Sequence, residues 1–192
     1  MAITNSVYVV AAMCGNFWTE SNINPGIYEG LRVVDLTNNS VYGGYGLGQW
    51  TNAPQYKVYR RTALVNWLRE NGYADDSGPG QLSFLVAENT WYQNGWGARF
   101  SSLQDFLASD SNNLQLLTYA YMQGWEGIWN GTQDKRVAQA QKCLAYIQAH
   151  YQDDPGEWIV GNRFLAEAEI LHNALLVYNY LTDAEPPDPE PP

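Results

Sequence analysis

Gly15-Asn-Phe-Trp-Thr-Glu-Ser-Asn-Ile-Asn-Pro-Gly26 closes a helix and turns the chain. Upstream, Val7, Val10, Ala11, Cys14, Phe17 and Trp18 recur at helical spacing, which predicts a helix over 6–20. Asn22-Ile-Asn-Pro-Gly26 then stops it, because proline cannot continue a helix and the polar residues favour a turn. At 100° per residue Glu20 lies roughly 120° from the centre of the apolar stripe, at the boundary between core and solvent. A carboxyl there reads in two ways. It is a solvated glutamate at a helix C-terminus, or an acid partly desolvated by a cleft wall, whose raised pKa suits proton donation near neutrality.

Outward from this helix, residues 27–50 change character. A β-branched run (Leu31-Arg-Val-Val-Asp-Leu36), a polar cluster (Thr37-Asn-Asn-Ser40) and a glycine-rich return (Val41-Tyr-Gly-Gly-Tyr-Gly46) predict a small irregular hairpin. Helical patterning resumes near 54–71, 80–93, 102–108, 112–124 and 133–151, the last with Val137, Ala140, Leu144, Ile147 and Tyr151 in one stripe. Asp153-Asp-Pro-Gly156 interrupts it, and a further amphipathic helix carries Phe164, Ala168, Leu171, Leu175 and Tyr178. The expected architecture is α+β and mostly helical: a body over 1–152, an additional C-terminal helix within 153–182 packed on it, and a Pro-rich acidic linker at 183–192.

The whole chain has 192 residues and a net charge of −10. Residues 153–192 hold 9 acids and one base, leaving the first 152 residues at only −2. An acidic chain without a basic patch argues against nucleic acid. No apolar run is long enough for membrane insertion, and the first residues lack the basic n-region of a secretory signal. Cys14 and Cys143 fall in apolar helical patterns and read as buried thiols, while His150 and His172 show no metal-binding spacing. Neither a metal nor a cofactor is expected.

A second segment carries chemistry. Tyr42-Gly-Gly-Tyr-Gly-Leu-Gly-Gln-Trp50 lets backbone approach a ligand closely, with Tyr45 and Trp50 as stacking faces and Gln49 as an amide. It is equally a glycine-rich turn over core aromatics, and it lacks the spacing of a nucleotide loop.

Taken together, the two segments resemble the lysozyme-like superfamily. The Glu20-Ser21 pair and the later Gly46-Leu-Gly-Gln49 look like those of goose-type lysozymes and lytic transglycosylases. The string Gly15–Gly26 followed by Tyr45–Thr51 is more closely similar to the phage tail lysozyme family, wall-degrading domains at the tips of phage tails. Weaker similarities follow at Gln81–Glu88 and at Tyr121–Glu126 with Arg136 and Ala138, and the resemblance covers about residues 5–150.

The resemblance implies a β-hairpin lobe and a helical lobe flanking a cleft for β-1,4-linked amino sugars. It implies a muramidase-type glycosidase acting on peptidoglycan strands, hydrolytic or transglycosylating, with Glu20 as proton donor. Ser21, Tyr45, Gly46, Gln49, Trp50 and Tyr121 become the expected substrate contacts. The implied setting is a virion tail acting on the bacterial wall, with other tail or secretion-device proteins as partners through the C-terminal linker. The competing expectation is a lysozyme-like structural or glycan-binding module without activity. Asp35 on the hairpin is the leading second carboxylate and Glu29 the alternative; a single-glutamate enzyme would use neither. Glu88 and Glu126 are expected on helices away from the hairpin, with Glu126 paired to Arg136 as a buried structural contact.

Overall fold

The computed structural model describes residues 2–182. The expected linker at 183–192 lies outside the described residues. The fold is α+β and mostly helical, with seven α-helices and one small antiparallel sheet among the described residues.

Helix α1 (Val7–Ser21) is the centre of the molecule. Ser6 caps its start by accepting from the Val9 N–H at 3.3 Å, and Asn22, in the left-handed region, ends it. Every residue from Val9 to Trp18 is buried, so the stripe read from the sequence is only part of a helix that is enclosed all round. Helices α5 (Leu114–Gly124), α6 (Gln133–His150) and α7 (Glu167–Thr182) surround it. At Gly15 α1 and α6 approach closely: a Cβ there would sit 2.5 Å from the Arg136 carbonyl oxygen and 2.7 Å from the Ala140 Cβ.

Residues 153–182 share this core. Leu165, Ile170, Ala174, Leu175, Val177 and Leu181 join the same buried cluster as α1. Asn173 on α7 donates to the carbonyls of Ile23 (2.9 Å) and Ile159 (2.8 Å), and Leu181 O accepts from the Ile3 and Thr4 N–H groups. Cys14 and Cys143 are both buried free thiols.

The sheet runs β1 (Gly43–Tyr45), β2 (Trp50–Ala53) and β3 (Val58–Tyr59), with Tyr45 opposite Trp50 and Asn52 opposite Tyr59. Its strands are not where the β-branched run suggested. A single 3-10 turn (Glu29–Leu31) with positive φ at Gly30 and Leu31 leads into an irregular loop over 32–36, and Val33 is 69% exposed. The loop carbonyls turn inward instead of pairing in a ladder. The buried Arg61 guanidinium collects them, donating to Leu36 O (3.1 Å), Asn38 O (2.8 Å) and Gly43 O (3.0 Å).

The helix expected from residue 54 begins later, as α2 (Arg60–Glu70). Pro54 opens a single 3-10 turn and Lys57 takes a left-handed conformation, which frees Val58 and Tyr59 to pair with β2. Helix α3 (Gly78–Glu88), capped by Ser77, stops at left-handed Asn89, earlier than the expected 93. The short α4 (Leu103–Leu107) completes the set.

Candidate active site

The two segments singled out in the sequence meet at one end of α1. Ser21 Oγ donates to Leu47 O at 2.7 Å, with Phe17 O also in reach at 2.9 Å. Gly46 N–H donates to Ile27 O at 3.0 Å. Gln81, fully buried on α3, links the rest. Its Nε2 donates to Pro25 O (2.8 Å) and Asp75 O (2.9 Å), and its Oε1 accepts from Leu47 N–H (2.9 Å). Gly46 has φ +76°, and any Cβ there would strike the Gln81 amide, so both the turn and the close approach require glycine.

A cleft of about 270 Å³ opens between this loop and the helices. The sheet side supplies Gly48, Gln49, Thr51, Ala53 and Val58, and the helical side supplies Glu20 and Glu126, with Trp125 and Arg60 beneath. The Arg60 guanidinium lies 4.9 Å from the centre of the Trp125 ring and is held by Glu88 in a two-point pair (2.7 and 2.8 Å).

The centre of the site is Arg136 of α6, whose side chain is wholly buried. Its Nη2 donates to Glu20 Oε1. Its Nη1 donates to Glu126 Oε1 and to Asn16 Oδ1, both at 2.8 Å, and its Nε donates to Thr132 Oγ1 at 2.9 Å. This accounts for the Gly-Asn-x-x-x-Glu string physically. Gly15 lets α6 approach, and Asn16 and Glu20, four residues apart on one helix face, both receive the arginine that the approach delivers.

Glu20 keeps 24% of its side chain exposed towards the cleft, whereas Glu126 keeps 5%. Burial, and next the charge of Glu20, push the Glu126 carboxyl up to about 8 against the opposing pull of Arg136. Glu126 Oε2 lies 2.8 Å from Nη1 but off the N–H direction, so it has no hydrogen-bond partner. The Glu126–Arg136 contact expected from the sequence is present. The carboxyl is not remote from the sheet lobe, however, because it lines the same cleft as Gln49 and Thr51. Glu88 also reaches the sheet, accepting from Trp50 Nε1 at 3.3 Å. Sequence reasoning linked neither acid to the sheet lobe: Glu88 ends α3, and Glu126, expected on a helix, lies in the bend just past the end of α5, both far along the chain.

The other candidate carboxylates lie elsewhere. Asp35 is fully exposed in the loop before β1. It accepts from the Thr37 hydroxyl (2.8 Å) and N–H (3.0 Å), which hold its carboxyl below the usual range. Glu29 accepts from Gly44 N–H at 2.7 Å and borders a separate depression with Arg32 and Tyr42. Neither lines the cleft at Glu20.

Most of the expected saccharide contacts lie under the surface. Ser21, Tyr45, Gly46, Trp50 and Tyr121 are buried. Trp50 packs edge-on to Trp125 at 5.4 Å, and Tyr121 stacks on Trp125 at 5.4 Å. Their burial has a simple cause. Aromatics flanking the motifs pack into the core beneath the cleft, which leaves loop backbone and Gln49 at its surface. Gln49 lines the cleft, and its Nε2 donates to Gly46 O at 3.0 Å. Among the described residues no group of three or more His, Cys, Asp or Glu is set to hold a metal ion, and no helix is long and apolar enough to cross a membrane.

Residues 5–147 match the family model described as phage tail lysozyme. Over 132 residues the chain is 31% identical to morphogenesis protein 1 of Bacillus phage B103, an alignment covering 69% of this chain and 32% of that protein. The chain thus spans about a third of the length of the curated relative it matches.

Proposed function

The chain belongs to the phage tail lysozyme family, and from that premise we propose that it is a glycosidase of a phage tail or tail-like device that cleaves the β-1,4 bond between amino sugars of peptidoglycan. One observation carries the reading. Glu20, at the end of the central helix, is held at the wall of a cleft by a wholly buried arginine and keeps part of its carboxyl open to that cleft. A surface glutamate needs no such arginine.

In this reading Glu20 delivers a proton to the glycosidic oxygen as the bond to the anomeric carbon breaks. Gln49 and the backbone of the glycine loop orient the sugar from the opposite wall. That wall (Gly48, Gln49, Thr51, Ala53 and Val58) carries no acid, which favours an enzyme whose carboxyls stand on one side of the scissile bond over one with two carboxylates astride it.

The relative's name favours a second reading, in which the domain serves virion morphogenesis without catalysis. Release of soluble muropeptides from purified peptidoglycan, by the wild type and by Glu20→Gln, separates the two. Cleavage that disappears in the variant supports the glycosidase. No cleavage by a folded wild type supports the structural role. Mass spectrometry of the released ends, reducing or 1,6-anhydro, identifies the reaction as hydrolysis or transglycosylation.

A further inference from the structure

The cleft holds two carboxyls on one guanidinium, and the location of its proton follows from their surroundings. With both carboxyls ionised, Glu20, Glu126 and Arg136 would sum to a net negative charge in mutual contact, half of the acid pair being almost fully buried. Such a pair sheds one charge by keeping a proton, and the less solvated member keeps it. A second observation agrees. The buried Glu126 Oε2 lies 2.8 Å from Arg136 Nη1 without a hydrogen bond from it, and a proton on that oxygen turns an unpartnered acceptor into a donor.

We propose that Glu126 stores the proton that Glu20 delivers to the leaving glycosidic oxygen, with Arg136 orienting both carboxyls. The proposal rests on the glycosidase reading and adds the proton's source. Glu126 acts through Glu20 and does not touch the sugar, so its role is one of positioning and supply.

The groups around Glu126 are Glu20 from α1, Arg136 from α6, Tyr121 from α5 and, in the same cleft, Arg60 of α2 and Tyr92. Burial holds Tyr121 as a neutral phenol, and Glu88 balances Arg60. Among the described residues Arg136 is therefore the cation that bears directly on the pair, and burial outweighs it.

The step balances. In the free protein the proton sits on Glu126, and Glu20 is a carboxylate bonded to Arg136. The proton passes to Glu20 and on to the glycosidic oxygen, which keeps the electron pair of the breaking bond. Both carboxylates are then ionised on Arg136. Water, as co-reactant, adds to the anomeric carbon and returns one proton to Glu20 and so to the pair.

The test compares pH–rate profiles of muropeptide release for the wild type and Glu126→Gln, with ¹³C NMR titration of the glutamate carboxyls of the wild-type chain. Glutamine retains a carbonyl oxygen for Arg136, so a merely structural role would leave the profile unchanged. The expected wild-type rate persists through neutrality and falls above about pH 8, and one carboxyl titrates there. Glu126→Gln is expected to lose about 10²-fold in kcat at neutral pH with little change in KM, and to recover towards acid pH as solvent replaces the lost store. An active wild type alongside a Glu126→Gln variant with unchanged rate and profile overturns the proton store, as does the absence of any glutamate titrating above about pH 6.5. A carboxyl titrating near 8 in a wild type that cleaves no glycan overturns the glycosidase reading, and the delivery of the stored proton with it, while a glutamate that does not titrate there in an active wild type overturns the store alone.

Discussion

Gly15→Ala tests whether the crossing of α1 and α6 builds the site. Intrinsic preference alone predicts that this change stabilises the protein, because alanine in a helix interior is favoured over glycine by about 1 kcal/mol. Packing predicts the reverse. The added Cβ would lie 2.5 Å from Arg136 O, 2.7 Å from Ala140 Cβ and 2.8 Å from Ala140 N. Carbon contacts ordinarily lie at about 3.5–4.0 Å, so the shortfall is about 1 Å. All three atoms are backbone or Cβ, and no rotamer change relieves them; the helices must separate. Overpacking costs about 1–3 kcal/mol, and a clash with rigid backbone belongs at the upper end. Subtracting the propensity gain leaves a destabilisation of about 2 kcal/mol.

The carbonyl struck belongs to Arg136 itself, so the displacement also draws the guanidinium away from Glu20. A misplacement of that size costs about 10²-fold in rate. Urea unfolding followed by far-UV circular dichroism, with muropeptide release measured on the same preparations, reads both effects. A Gly15→Ala protein of equal or greater stability and full activity would refute the argument.

Glu20→Gln should remove about 10²–10⁴ of the turnover while leaving the unfolding midpoint near that of the wild type, since the amide retains an acceptor for Arg136. Asp35→Asn, in an exposed turn away from the cleft, should leave glycan cleavage near the wild-type rate; a strong loss would restore Asp35 as a second catalytic acid. Stability should also depend on pH through Glu126. Its folded pKa of about 8 lies above the ordinary 4.5, so the folded chain holds a proton that the unfolded chain has released. The contribution is fully present below about pH 4.5, is lost as pH rises through about 8, and is on the order of a few kcal/mol. Denaturation of the wild type between pH 5 and 8 should therefore show stability falling with pH relative to Glu126→Gln. Parallel curves would exclude a proton on Glu126.

What the sequence alone determined is local. The period of residues 7–18 makes a helix, Asn22–Gly26 ends it, and both motifs are written in consecutive residues whose backbone preferences do not depend on distant partners. Glu20 and Gln49 were therefore legible as cleft residues, and the mostly helical α+β class followed from the order of patterns. Tertiary structure decided the rest. Whether Trp50 and Tyr121 face a sugar or the core depends on what covers them, and Trp125, Phe84 and Phe106 arrive from elsewhere in the chain. The 31–36 run had the composition of a strand, yet its carbonyls are claimed by Arg61, some 25 residues later. Arg136 stands 116 residues from Glu20 and reaches it because Gly15 lets two helices touch. Periodicity specifies which face of a helix is buried; it cannot specify which charged group the neighbouring helix presents there.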